Sequence, residues 1–206
     1  MILNSRLATP LVLILALAAG AGDAAAETVV SKSIRYYTIG GRTSAEIDRE
    51  LARHGPMTRS TGSRHPGTTE IRFGGEISYA EEGGRCRVRD VKVTLNTKIT
   101  LPRWRNRNRA NGEMALLWDT LAADIKRHEE RHAEIARNYA RTLENRLSRL
   151  TSTRTCAELQ KKASEVTERT SAEHDADQAR FDRVEALNFE KRLTRLLRHR
   201  AAQQER

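Results

Sequence analysis

Residues 113–150 read EMALLWDTLAADIKRHEERHAEIARNYARTLENRLSRL, and the spacing of side chains in this stretch decides what the rest of the chain must build around. Apolar or aromatic residues fall at Met114, Leu117, Leu121 and Ile125, then at Ile135, Tyr139, Leu143, Leu147 and Leu150. Within each group the step is three or four residues, the period of one helix face. The gap between Ile125 and Ile135 is filled at the same spacing by His128 and His132. Two ionisable rings are therefore directed into a buried seam, where a polar side chain costs free energy unless it has a partner. A solvated charge run would place them on the opposite face.

The residues involved read His128-Glu129-Glu130-Arg131-His132. Histidines four apart stack on one helix face, so their imidazoles can bind one Zn²⁺ together. A carboxylate directly after the first histidine is the group that deprotonates metal-activated water in zinc peptidases. Glu129 is thus the expected general base, and His128 and His132 are expected metal ligands.

Catalytic zinc usually takes three protein ligands and a water. The extended pattern with glycine three and histidine six residues after the second motif histidine is excluded, because those positions hold Ile135 and Asn138. A second long helix is expected over about 156–199, after Thr151-Ser152-Thr153-Arg154-Thr155, with its own stripe through Leu159, Ala163, Val166, Thr170, His174, Asp177, Phe181, Val184 and Asn188. A short connection makes the two helices antiparallel neighbours. Reflecting the motif through a turn at 152 or 153 lands on Glu173-His174-Asp175-Ala176-Asp177. His174 is the expected third ligand, Asp177 is next, and Asp175 and Glu173 follow as ligands or as acceptors for a ring N–H.

Upstream, Tyr36, Tyr37 and Ile39 before Gly40-Gly41 suggest a strand and turn. Thr43-Ser44-Ala45-Glu46 fits a capping box for a short helix through Ile47 and Leu51, stopped at Gly55-Pro56. Residues 57–67 read as a loop. From Thr68 to Thr100 the period changes to two, through Ile71, Phe73, Ile77 and Tyr79, then Val88, Val91, Val93, Leu95, Thr97 and Ile99. Glu81-Glu82-Gly83-Gly84 suggests a hairpin turn, and Asp90 interrupts the second run as a bulge would. The expected fold class is α+β: a small antiparallel sheet with a short helix, followed by a long antiparallel helical hairpin carrying the metal site.

Arg6, the apolar run from Leu11 to Ala19, and Ala24-Ala25-Ala26 before Glu27 read as a cleavable signal peptide over 1–26. The apolar run is too short to span a membrane. A single domain is expected over 27–190, with a basic, fraying C-terminal tail over 191–206. Export to the periplasm or medium makes Cys86 and Cys156, the chain's 2 cysteines, an expected disulfide.

The net charge is +10, and Arg103, Arg105, Arg107 and Arg109 cluster around Trp104. A basic loop with an aromatic residue can meet nucleic acid. Export instead favours anionic lipid or cell-envelope polymer as the partner of that surface. Of the other histidines, His54 ends the short helix, His65 falls in a loop and His199 in the tail. Tyr36, Tyr37 and Tyr139 are candidate oxyanion donors.

One ordered set of segments carries a resemblance. It comprises Tyr36-Tyr37-Thr38-Ile39-Gly40-Gly41-Arg42-Thr43, Gly55-Pro56, Cys86, Leu101-Pro102-Arg103-Trp104, Trp118 and the His128–His132 motif. Together they resemble a bacterial family of uncharacterised exported proteins described as predicted secreted zinc-dependent proteases. The likeness covers roughly residues 35–182. It implies a zinc-binding, zincin-like domain that hydrolyses peptide or protein substrates. The family carries an Asp-containing segment on the second helix, often preceded by tyrosine; His174-Asp175 fills that place here, so a carboxylate third ligand stays open. The competing expectation is a non-catalytic envelope protein, with a structural metal or none, that binds anionic polymer or lipid through its basic surface.

Overall fold

The computed structural model describes residues 26–58 and 62–204, with side chains from Thr28 onward. Of the signal peptide expected over 1–26, residues 1–25 lie outside the described residues. The chain forms strand β1 (Ala26–Ile39), helix α1 (Ser44–His54), strands β2 (Thr68–Glu82) and β3 (Arg85–Trp104), a short 3₁₀ turn, and the long helices α2 (Gly112–Ser148) and α3 (Cys156–Gln204). The α+β class holds.

β3 is the spine, central in the order β1-β3-β2. Val91, Val93, Leu95, Thr97, Ile99 and Leu101 alternate inward and are buried, while Lys92 and Asn96 between them are exposed. A sheet covered on one face needs this alternation. Gly83 and Gly84 turn the β2–β3 hairpin with φ of 57° and 71°, the left-handed pair that a tight two-residue turn requires. The register slips between Ser78 and Tyr79, which pair with Asp90 and Val88, so Arg89 is the extra residue. This bulge next to Asp90 lets both Val88 and Val91 face the core.

The sheet is mixed, which corrects the expectation of antiparallel pairing throughout. β2 is antiparallel to β3, but β1 runs parallel to it, with Ile34 beside Ile99 and Ile39 beside Trp104. α1 and the whole of β2 intervene between the two strands, so the chain can return in the same direction. Inward–outward alternation is the same for either direction and could not reveal this.

α1 is opened by the expected capping box, with Thr43 accepting from the Glu46 amide and Glu46 reaching back. It buries Ile47 and Leu51 against Ile39, Trp104 and Trp118. α2 lies across the inner face of the sheet; Leu143 and Leu147 meet Val88, Val91 and Val93, joined by Leu159, Ala163 and Val166 of α3. Between the helices, Thr153 forms a two-bond bridge with the Cys86 backbone, and Cys86 is disulfide-bonded to Cys156. The connection therefore runs past the end of α2 to the sheet before α3 begins. Through the tail expected over 191–206, α3 continues as helix to Gln204, and Arg192 binds Asp124. Among the described residues, no helix is long and apolar enough to cross a membrane.

Candidate metal centre

A cleft of ≈ 640 Å³ opens where α2, α3 and the start of β2 meet. Its floor is the His128–His132 face of α2. One wall is α3, and the other is the loop His65-Pro66-Gly67 running into Thr68 and Thr69. His65, placed by sequence only in a loop, therefore lines the cleft.

The two motif imidazoles turn toward one point. His128 Nε2 and His132 Nε2 lie 3.0 Å apart. Asp182 Oδ1 of α3 lies 3.4 Å from the first and 2.9 Å from the second. Ligand atoms held at about 2.0 Å around a tetrahedral metal are about 3.3 Å from one another. The three edges lie within about 0.4 Å of that figure, so the donor set could hold a single ion shared by all three residues. Phe181 braces the pair, stacking on His128 at 4.9 Å and meeting His132 edge-on at 5.0 Å.

Asp182 was not among the residues expected to complete the site. Of those that were, His174 lines the cleft but its nitrogens are engaged elsewhere, with Asp175 and Gln178. Asp177 accepts from the Tyr139 hydroxyl at 2.7 Å, and Glu173 binds Arg146. Facing pairs such as Tyr139–Asp177 and His132–Gln178 place the real alignment about two turns along α3 from the reflected one. The cause is the bridge to Cys86. It carries the chain beyond the end of α2, so the first turns of α3 pack on the sheet and the His128–His132 face of α2 meets Gln178, Asp182 and Glu185. The stripe on α3 accordingly steps by four after His174, to Gln178, rather than by three.

Glu129 is 5% exposed on the cleft floor. The Thr69 hydroxyl lies 2.8 Å from its Oε2 and 2.9 Å from its carbonyl oxygen, tying β2 to α2 at this residue. Burial raises the Glu129 pKa above the ordinary carboxylate value, against the opposing pull of Thr69 and the two histidines. For Asp182, burial pushes upward but hydrogen bonds to His128 and His132 outweigh it and hold the carboxyl well below the usual range. His132 is raised: burial opposes its protonation, and Asp182 and Gln178 more than compensate. Beyond the histidines, Asp124 joins Arg192, Arg127 and Glu185 in an ionic cluster, with Glu185 Oε2 3.6 Å from His128 Nδ1.

None of the three candidate tyrosines lines the cleft. Tyr37 donates to the Pro66 carbonyl, Tyr139 to Asp177, and the Tyr36 ring sits under the Arg103 guanidinium. His54 Nε2 lies 3.6 Å from Glu50 on its own helix. Trp104 is buried and donates to the Gly41 carbonyl, and Arg107 is spent on Asp119, so this loop does not present the aromatic that nucleic-acid stacking needs.

The profile of a family described as "Bacterial protein of unknown function (DUF922)" matches residues 34–190. No curated protein and no solved structure matches the chain.

Proposed function

This chain belongs to the DUF922 family of bacterial proteins of unknown function, and we propose that it is an exported zinc metallopeptidase. The observation that carries the reading is the convergence of His128, His132 and Asp182 on one point in a cleft that also holds buried Glu129. Two imidazoles and a carboxylate are a donor set found in catalytic zinc sites, where three protein ligands leave a position open. The Asp182 side chain is 55% exposed, so the open side of this set faces solvent and substrate. When bound, zinc supplies Lewis acidity, lowering the pKa of a water toward neutrality and polarising a carbonyl.

The remaining chemistry belongs to the chain. Glu129, its basicity raised by burial, takes the proton of the attacking water and returns it to the leaving amine. Thr69 and Gly67 hold its carboxylate against the cleft floor. Ile125, Phe73 and Phe189 give the cleft apolar wall that a peptide side chain can occupy. The disulfide suits an oxidising, extracytoplasmic compartment.

The test is Glu129→Gln, which keeps the shape and removes the base. Hydrolysis of a mixed peptide library should fall by at least about 10²-fold, with zinc content unchanged. Full activity in that variant removes Glu129 as base. Zinc binding with no hydrolysis by the wild type, and melting on chelation, would instead support a structural metal in a non-catalytic envelope protein.

A further inference from the structure

His174 is buried beside the centre without joining it. It is 6% exposed, with Phe73 and Tyr139 edge-on to its ring at 5.0 and 5.6 Å. Its Nδ1 lies 2.9 Å from Asp175 Oδ1, and its Nε2 lies 2.9 Å from Gln178 Nε2. Gln178 in turn places Oε1 2.5 Å from His132 Nδ1, and its Nε2 donates to the His132 carbonyl at 3.1 Å.

The directions along this row are fixed by chemistry. A carboxylate only accepts, so His174 must carry its proton on Nδ1 and offer a lone pair at Nε2. The Gln178 amide nitrogen only donates, and it has two acceptors, His174 Nε2 and the His132 carbonyl. Its amide oxygen is then left facing His132 Nδ1, which must be protonated. His132 Nε2 is thereby the atom turned to His128 and Asp182, where Asp182 can accept a proton from it in the metal-free protein and a bound metal would replace that proton. Turning the amide over would set its oxygen against the His132 carbonyl oxygen and leave the His174 lone pair facing the Asp175 carboxylate.

We infer that Asp175, His174 and Gln178 form a tautomer lock, holding a proton on His132 Nδ1 so that Nε2 is the atom presented to a metal. They are positioning residues and not ligands. The inference rests on His128, His132 and Asp182 being the metal site. It also makes sense of a buried histidine on the metal face of α3 that contributes no ligand atom.

The lock is read without metal, by long-range ¹H–¹⁵N NMR of the imidazoles in metal-free Asp182→Ala protein, which removes the competing acceptor at His132 Nε2, at a pH where they are neutral. With Gln178 and His174 intact, His132 in that protein should show the Nδ1–H form alone. Gln178→Leu and His174→Phe, the latter keeping a ring between Phe73 and Tyr139, should both show mixed tautomers. Zinc affinity, measured by competition with a chelator in the same two variants with Asp182 retained, should fall about 10- to 100-fold in both. Gln178→Glu keeps an acceptor for Nδ1 and should restore the tautomer and most of the affinity, which a merely structural role does not require. Thermal melting of each metal-free variant verifies folding. An unchanged His132 tautomer in folded Gln178→Leu overturns the lock. Complete loss of zinc in His174→Phe, with Gln178→Leu unaffected, overturns it in favour of His174 as a ligand. If wild type binds no zinc, the peptidase reading fails, yet the tautomer comparison still decides the lock.

Discussion

Glu129 is held from two sides by residues far away in sequence. Thr69 bonds it from β2, and Gly67 approaches so closely that a Cβ there would stand 2.7 Å from Glu129 Oε1 and 2.9 Å from Ile125 Cγ2. Gly67→Ala must therefore move either the loop or the carboxylate. We predict a stability loss of about 1–3 kcal/mol by chemical denaturation. Peptide hydrolysis should drop at least about tenfold, with zinc occupancy kept. Undiminished hydrolysis would mean that the placement of Glu129 tolerates such a shift. At this scale the sequence was legible wherever chemistry is encoded by short-range spacing. His128, Glu129 and His132 are readable because a helix converts positions one and four apart into known directions. Gly67 was not, since its role depends on a contact with α2, and a glycine in a Gly/Ser/Thr-rich loop otherwise signals only a turn.

The elements are held in alignment by the α2–α3 pairing, whose outer end is an ionic tie. Asp124, its side chain 3% exposed, accepts from both Arg192 and Arg127. Burial alone would raise its pKa, but the two guanidiniums outweigh it and hold the carboxyl below the usual range. A folded-state pKa below the unfolded one means the tie contributes stability above about pH 4, lost as pH falls through the folded value. Urea unfolding of wild type should weaken below about pH 4. Asp124→Asn should be less stable at neutral pH by about 2–3 kcal/mol, less than for a fully buried pair because Arg127 is 42% exposed. Its acid response should be flatter, and an identical pH profile would contradict the assignment. Helix existence, the capping box, the bulge near Asp90 and the hairpin glycines were all legible from local pattern. The alignment of α3 against α2 was not. It is set by Thr153 and Cys156 anchoring the connection to Cys86, a tertiary constraint that a reflection about the turn cannot contain. The same reasoning explains why the direction of β1 was missed.

Across the described residues, the sheet and the two long helices enclose the main hydrophobic cluster, with the disulfide joining the sheet to the start of α3. Cys86 is fully buried, and the bridge spans a sequence separation of 70 residues. A loop of that size is worth about 4 kcal/mol in the chain-entropy account. Replacing both cysteines with alanine should lower stability by about that amount in denaturant titrations. Because the bridge sets where α3 starts, the variant should also bind zinc more weakly. A loss under about 1 kcal/mol would show that packing alone fixes α3. Lys92 and Asn96 on the outer face of the sheet are exposed, whereas the cleft lies on the side covered by α2 and α3.

The most direct test of the metal centre is zinc content by mass spectrometry of folded protein, comparing wild type with Asp182→Ala and His174→Ala after equilibration with limiting zinc. The account predicts about one zinc per wild-type chain. Zinc should be lost in Asp182→Ala, whereas His174→Ala should still reach full occupancy at higher zinc. Zinc held by Asp182→Ala but absent from His174→Ala at any concentration, or no zinc in wild type, would contradict it.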